Sequence, residues 1–179
     1  MNRRRPVYRL TLVAVFTALL IAGAFFKIPI PPVPLTLQAQ IALLGGTLLG
    51  AGNGALAAAL YVLLGLLGLP VFAGGGGLGY ALQPTFGYLL GFVGGAFLCG
   101  CLTRRGTSLK RMLAAQLAGL TVIYALGIFW YGFSISVLNG QYLSAQHLLT
   151  ATVLTTLPAD ILLTSVASMA AARLRQYLK

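Results

Sequence analysis

Six runs of apolar residues follow one another along the chain, separated by short stretches that are rich in charged residues, glycine or proline. A helix that crosses a bilayer needs about 20 predominantly apolar residues, so the pattern predicts an all-α integral membrane protein with six transmembrane helices. The expected spans are 10–26, 38–49, 55–69, 86–102, 112–133 and 147–172. Together they form a single transmembrane domain over residues 1–179.

The composition supports this class of protein. The 179 residues are 59% hydrophobic and only 7% charged, against roughly 25% charged residues in an ordinary soluble domain. A soluble globule of this size exposes too much surface to hide so many apolar side chains. The composition therefore excludes a secreted disulfide scaffold, a disordered tail and a nucleic-acid-binding module.

The charged residues are almost all basic, and they lie in three clusters at the ends of apolar runs. Twelve Lys and Arg residues against one acid give a net charge of +11. The clusters precede the first span, separate the fourth from the fifth and follow the sixth: Arg3, Arg4, Arg5 and Arg9; Arg104, Arg105, Lys110 and Arg111; Arg173, Arg175 and Lys179. Since cations mark the cytoplasmic ends of spans, six spans place both termini in the cytoplasm and leave only Lys27 outside. Anionic lipid headgroups of the bilayer, not nucleic acid, are the partner that we expect for these clusters.

The first span carries a stripe of small residues at four-residue spacing, formed by Ala14, Ala18 and Ala22. Such a stripe lets a second helix approach closely, and in lipid this packing drives association. The pattern is equally consistent with a partner protein and with another helix of the same chain.

Two connections on the predicted outer side are unusual. Residues 28–38 hold four prolines within six positions, which prevents a helix, and this stiff apolar segment is expected to fold over the protein as a lid or pocket wall. Residues 71–85 are rich in glycine, which permits close backbone approach to a ligand. A flexible turn is an equally good interpretation of that loop.

Asp160 is the only acid in the chain, and the pattern places it midway along the sixth span, two residues after Pro158. A charged side chain at that depth costs about 2.5–3.5 kcal/mol on insertion scales. Either a ligand with hydrogen-bond donors or local amides at the helix break would satisfy it, and we favour the ligand. The chain has one His and no second acid, so it lacks the groups for hydrolysis or metal binding. We expect no enzymatic activity, no metal ion and no cofactor.

Three strings in the sequence resemble the BioY family, the biotin-specific substrate-binding (S) components of energy-coupling factor (ECF) transporters. They are IPIPPVPLTLQ at 28–38, YVLLGLLGLPVFAGG at 61–75 and PTFGYLLGF at 84–92. The resemblance implies the S-component fold in a bacterial cell membrane and capture of biotin at the outer face. It also implies a membrane coupling subunit (the T component) and a pair of cytoplasmic ATPases as partners. Contact with the coupling subunit would fall on Ala14 and Ala18.

The resemblance also implies a set of substrate-binding residues. Asp160 matches the Pro-x-Asp of the family and would accept the ureido N–H groups of biotin. The candidate set comprises Pro32, Val33, Leu35, Gln38, Tyr61, Phe72, Gly75, Gly77, Tyr80, Tyr88 and Asp160.

This chain departs from the family pattern at two positions. Leu163 stands where the family usually carries a Lys, and Phe86 where Gly is common. Without that Lys, backbone amides of the glycine loop are a candidate for binding the carboxylate of biotin. Three alternatives remain open: an S component for a related vitamin, a stand-alone biotin carrier that needs no ATPases, and a scaffold protein held by its small-residue stripes.

Overall fold

Helices dominate the computed structural model, which describes residues 4–30, 33–104, 106, 108–138, 150–154 and 156–175. Within these residues the α-helices are α1 (Arg4–Phe25), α2 (Gln38–Leu49), α3 (Ala51–Leu66), α4 (Phe86–Thr103), α5 (Leu109–Phe133) and α6 (Leu157–Leu174). A 3₁₀ helix (Leu78–Leu82) precedes α4, and one-turn π-helical segments cover Ser134–Leu138 and Thr150–Leu154. The predicted start of the sixth span at residue 147 lies outside the described residues.

Four of the described helical segments are long and apolar enough to cross a membrane: Val7–Phe25, Phe86–Thr103, Leu109–Val137 and Leu157–Leu174. The other two helices, α2 and α3, have 12 and 16 residues. At 1.5 Å per residue they reach about 18 and 24 Å, less than the roughly 30 Å of a hydrocarbon core. Neither helix crosses a hydrocarbon core by its length alone, and a non-helical connection adjoins each of them.

The proline segment forms such a connection. Strand β1 (Lys27–Ile28) pairs antiparallel with β2 (Leu35–Thr36) to make a short hairpin between α1 and α2. Its backbone is extended, as expected where proline removes helical hydrogen bonds. Val33, between the strands, is buried, so the hairpin packs onto the protein. Pro32 lies outside the described residues.

Glycines allow the central helices to approach closely. A Cβ atom at Gly46 would lie 2.0 Å from the backbone oxygen of Ala96, and one at Gly91 would lie 2.7 Å from Cα of Ile123. These contacts bring α2 and α5 against α4, since in lipid close backbone packing replaces the hydrophobic driving force. Gly50, with φ +86°, makes the turn from α2 to α3 by itself. As a result α3 begins at residue 51, four residues before the predicted span.

A buried polar network joins three helices in the half of the bundle away from the hairpin. Gln116 on α5 donates to Oγ1 of Thr47 on α2 (3.2 Å) and accepts a hydrogen bond from Ser168 on α6 (2.9 Å). Both hydroxyl groups also donate to carbonyl groups of their own helices. Every polar group of this trio is thus satisfied within the protein, as the bilayer interior requires.

Helix α1 packs on the bundle through one face only. Its buried residues include Val13, Phe16 and Leu20. Ala14 and Ala18 are exposed on the opposite side. The small-residue stripe therefore faces away from the part of the chain that the structure describes.

Candidate ligand-binding site

Asp160 lies in the first turn of α6, whose first residue is Leu157. The sequence pattern predicted a position midway along the sixth span, but Pro158 acts as a helix-initiating residue rather than as an interruption. Proline is favoured in the first turn because its missing N–H group would have no helical acceptor there. The amino-terminal end of a helix also favours a negative charge, so the fold places the single carboxylate where its charge is best tolerated.

Two side chains from other helices donate hydrogen bonds to the Asp160 carboxylate. Nε2 of Gln40 on α2 lies 2.8 Å from Oδ1, and the hydroxyl of Tyr124 on α5 lies 2.6 Å from Oδ2. The Tyr124 hydroxyl also forms a 2.8 Å hydrogen bond with Oγ1 of Thr156. Asp160 is only 6% exposed. Its partners are thus tertiary, and the interpretation that local amides at a helix break satisfy it loses support.

A cavity opens between Asp160 and the hairpin. Its lining consists of Val33, Pro34, Leu35, Thr36, Gln38, Ala39, Ala73, Tyr80, Thr85, Tyr88, Leu89, Phe92, Ile123, Tyr124, Thr156 and Asp160. The cavity has a volume of only about 60 Å³. The cavity is therefore a narrow cleft, with one carboxylate and several hydroxyl groups in an otherwise apolar wall.

Gln38 is a polar residue of the cavity wall, and Tyr61 supports it from behind. The Gln38 side chain lines the cavity and donates through Nε2 to the hydroxyl of Tyr61 and to the carbonyl of Leu20 (3.3 Å). The Tyr61 hydroxyl in turn donates to the carbonyl of Val71 (3.3 Å). Tyr61 is fully buried and does not line the cavity, so it fixes Gln38 at the start of α2 and ties α3 to the glycine loop.

Aromatic rings form much of the remaining wall. The Phe72 ring packs against Tyr80, with centroids 4.5 Å apart, and against Tyr61 at 5.4 Å. A Cβ atom at Gly65 would lie 2.0 Å from Phe72 Cζ, so this glycine makes the space for the ring. Phe72 lies behind the cavity and supports Tyr80, which lines it.

The glycines of the loop shape the wall without lining it. Gly75 and Gly77 have φ values of +122° and +101°, which glycine adopts at little cost. Their amide N–H groups already donate to the carbonyls of Phe72 (3.1 Å) and Gly65 (2.7 Å). These two amides are therefore not available to bind an anion in the cleft.

Leu163, one of the two positions where this chain departs from the family pattern, does not line the cleft. It lines a groove on the other side of Leu35 and Thr36, together with Phe25, Phe26, Lys27, Ile28 and Leu37. Lys27 on the hairpin donates from Nζ to the carbonyl of Ala73, a cavity-lining residue. The hairpin and the glycine loop are thus tied together at the mouth of the cleft.

The cleft brings together six of the residues predicted from the sequence: Val33, Leu35, Gln38, Tyr80, Tyr88 and Asp160. Tyr61 and Phe72 stand behind it, and Gly75 and Gly77 lie outside it. Sequence reasoning missed Gln40, Tyr124 and Thr156, which surround the carboxylate. Gln40 and Tyr124 could have been found from the sequence, because each is a polar side chain within an apolar helix. A polar group in that setting requires a partner inside the protein.

Known proteins resemble this chain over nearly its whole length. The model of the BioY family matches residues 1–179. A probable biotin transporter BioY of Lysinibacillus sphaericus is 38% identical over 176 residues, which cover 97% of this chain and 90% of the relative. The biotin transporter BioY of Rhodobacter capsulatus is 35% identical over 178 residues, 93% of each chain. The crystal structure of the S-component for biotin from an ECF-type ABC transporter matches with a TM-score of 0.84 and 29% identity, covering 98% of this chain and 95% of that one.

Proposed function

This chain belongs to the BioY family of transport proteins, and from that membership we propose that it captures biotin in the cleft beside Asp160 as the S component of an ECF transporter. It is a transport protein and not an enzyme. The observation that carries the assignment of the site is the geometry of Asp160, the only acid of the chain, buried at the wall of the cleft and held by Gln40 and Tyr124.

The polar end of biotin fits the chemistry of this carboxylate. The ureido ring of biotin presents two N–H donors and one carbonyl acceptor. Each oxygen of a carboxylate accepts more than one hydrogen bond, so Asp160 retains acceptor capacity after its bonds to Gln40 and Tyr124. A ligand with paired N–H donors beside Asp160 would use this remaining acceptor capacity.

The apolar parts of biotin fit the rest of the wall. The thiophane ring and the valeryl chain prefer aliphatic and aromatic surroundings, which Val33, Tyr80, Tyr88 and Phe92 provide. Because the cleft is narrow, entry of biotin requires the hairpin to move away from the glycine loop. The Lys27–Ala73 hydrogen bond is the contact that would open and reform during this movement.

The position of Leu163 supports biotin despite the missing Lys. Leu163 lines the lateral groove and is not among the residues that line the cleft. In this chain Gln40 and Tyr124 supply neutral donors to the Asp160 carboxylate, so the carboxylate is held without a neighbouring cation.

We place the hairpin end of the bundle at the outer face of a bacterial cell membrane and both termini in the cytoplasm, with six spans. Support comes from the positive-inside rule and from the location of the arginines at the other end of α4 and α6. The energy for uptake would come from a membrane coupling subunit and two cytoplasmic ATPases. Helix α1 would dock on the coupling subunit through Ala14 and Ala18, whose outward orientation favours a partner over an internal contact.

Equilibrium binding to the purified full chain in detergent tests the proposal. We expect saturable biotin binding and much weaker binding of lipoate, which shares the pentanoate tail and a sulfur ring but lacks the ureido donors. Asp160→Asn should lower the affinity for biotin by about 10- to 100-fold, because a hydrogen bond to a charged group contributes about 1.5–3 kcal/mol and tenfold corresponds to about 1.4 kcal/mol.

The comparison of ligands and variants separates two failures. If the folded wild type binds lipoate as tightly as biotin, the assignment of the ureido ring to this site is wrong. If Asp160→Asn binds biotin as the wild type does, the ligand lies elsewhere in the protein.

A further inference from the structure

Arginine side chains line two adjoining depressions at the end of the bundle opposite the cleft. The first has a volume of about 420 Å³ and is lined by Cys101, Leu102, Arg104 and Arg111. The second, of about 330 Å³, is lined by Gly50, Ala51, Gly100, Cys101, Arg104 and Arg175. Because both share Cys101 and Arg104, they form one continuous surface feature, here called the arginine pocket.

No acidic side chain of this protein can neutralise the arginine pocket. The only acid in the sequence is Asp160, and 15 residues of α6 separate it from Arg175, which is about 22 Å at 1.5 Å per residue. Nη1 of Arg175 is buried and has no hydrogen-bond partner within the described residues. A guanidinium nitrogen without an acceptor favours a bound anion, and no acidic side chain of the described residues lies close enough to supply one.

The backbone adds to the positive character of the pocket. Gly50 and Ala51 mark the start of α3, where no side chain caps the helix. The absence of a side chain at Gly100 brings α4 close, since a Cβ atom there would lie 2.1 Å from the Ala51 nitrogen. The first N–H groups of a helix and its dipole favour an anion. Their effect here adds to that of three guanidinium groups.

The third arginine is folded onto the protein. A Cβ atom at Gly106 would lie 2.2 Å from Nη1 of Arg111, so the guanidinium group packs over the connection between α4 and α5. This glycine permits Arg111 to line the pocket.

We propose that the arginine pocket binds the phosphate group of an anionic phospholipid from the cytoplasmic leaflet. Guanidinium groups match phosphate oxygens with paired hydrogen bonds, and basic pockets between transmembrane helices are suited to anionic headgroups. A lipid fits better than free phosphate because an exposed apolar stripe runs along α4 to the pocket. The stripe consists of Leu90 and Phe97, which are exposed on one face of α4, and it reaches the pocket at Cys101 on the same face. It offers a surface for an acyl chain.

Binding of short-chain lipids to the purified full chain tests this proposal. The probes are dioctanoyl phosphatidylglycerol, dioctanoyl phosphatidylcholine and inorganic phosphate, and the readouts are the shift in Tm and lipid adducts in native mass spectrometry. We expect the anionic lipid to raise Tm and to form a retained adduct, and the zwitterionic lipid to do neither. Arg104→Gln and Arg175→Gln should each weaken this binding by about tenfold or more, given the strength of charge-assisted hydrogen bonds.

Matched controls remove equivalent charges that do not line the pocket. Arg173, two residues before Arg175, and Lys110, next to Arg111, are exposed. Arg173→Gln and Lys110→Gln should keep wild-type affinity for phosphatidylglycerol, and all four variants should bind biotin normally. An equal loss in the control and pocket variants would overturn the proposal, since it would show attraction by net charge alone. Equal effects of the two lipids on the wild type, a readout that needs no variant, would also overturn it.

Inorganic phosphate identifies the source of the phosphate group. If phosphatidylglycerol raises Tm, inorganic phosphate does not, and the pocket variants lose the effect, the pocket is a headgroup site that needs the acyl chains. If inorganic phosphate alone produces the same shift with the same dependence on the variants, the pocket recognises free phosphate and the assignment to a lipid is wrong.

Discussion

Replacing Gly65 with alanine tests how the aromatic wall of the cleft is held in place. The new Cβ atom would lie 2.0–2.5 Å from three atoms of the Phe72 ring, where carbon atoms in contact prefer about 3.5–4.0 Å. The ring therefore has to retreat by roughly 1.5 Å, toward Tyr80 and Tyr61. Overpacking of this kind costs about 1–3 kcal/mol, while alanine in a helix recovers at most about 1 kcal/mol. We expect Gly65→Ala to be about 1–2 kcal/mol less stable than the wild type.

The same change should weaken biotin binding without touching the ligand, because Tyr80 lines the cleft and moves with Phe72. We expect a loss of up to about tenfold, equivalent to about 1.4 kcal/mol, in titration calorimetry. The stability would be measured by thermal unfolding in detergent. Gly52→Ala provides the control: it lies on the same helix, and a Cβ atom there meets nothing within 4 Å, so neither stability nor affinity should fall.

A second variant locates the origin of the strain. Phe72→Leu shortens the side chain that the new methyl group meets. The double variant Gly65→Ala/Phe72→Leu should therefore lose less stability than the sum of the losses in the two single variants. Such non-additivity is expected for residues in contact. If Gly65→Ala is as stable as Gly52→Ala and binds biotin normally, the Phe72 ring does not pack closely against Gly65 of α3.

Three further substitutions test other parts of the structure. Tyr124→Phe removes the 2.6 Å hydrogen bond to Asp160 and should lower the affinity for biotin by about tenfold. Tyr131→Phe on the same helix is the control and should bind biotin as the wild type does. If Tyr124→Phe also binds normally, Tyr124 is not part of the site. Gln116→Leu should leave the biotin Kd unchanged and cost no more than about 2 kcal/mol in thermal unfolding. Both of its hydroxyl partners keep a hydrogen bond to a carbonyl of their own helix, and such side-chain bonds in membranes average about 0.6 kcal/mol. Ala18→Trp should preserve biotin binding but abolish co-purification of the coupling subunit and its ATPases, and retention of the complex would refute docking through α1.

The helical class of the fold follows from the sequence because it depends on local properties. Apolar runs of sufficient length have to be helical in lipid, and α2 begins at Gln38 and α4 at Phe86 as the pattern predicts. The start of α3 was harder to predict from the sequence. Gly52 and Gly54 suggest a break, but α3 includes both, because Gly54 lies against Gly46 where a Cβ atom would meet backbone at 2.5 Å. That contact belongs to the tertiary structure and has no local signal.

The cleft was predictable only in part, for a similar reason. Asp160 stands out because a lone carboxylate in an apolar chain demands an explanation. Gln40 and Tyr124 look like ordinary polar residues near a helix start and within a span, and only the packing of α2 and α5 against α6 brings them to the carboxylate. Conversely, Gly75 and Gly77 looked like anion-binding amides because the sequence does not reveal that Phe72 and Gly65 already accept their hydrogen bonds.

The two ends of α6 carry opposite demands that follow from one feature of the composition. The chain has twelve cationic side chains and only one acidic side chain, so at most one cation can pair with a carboxylate side chain of the same chain. Its single carboxylate stands in the first turn of α6, and Arg173 and Arg175 stand at the other end, so both signs of charge are placed as the helix dipole favours. Neutral donors hold the carboxylate, which remains able to accept N–H groups from a neutral ureido ring. The arginines, by contrast, have no acidic side chain near them in the described structure, and a lipid headgroup is the anion that we propose for them. The same shortage of acidic residues thus underlies both proposals: a ligand with hydrogen-bond donors at one end of α6 and an anion at the other.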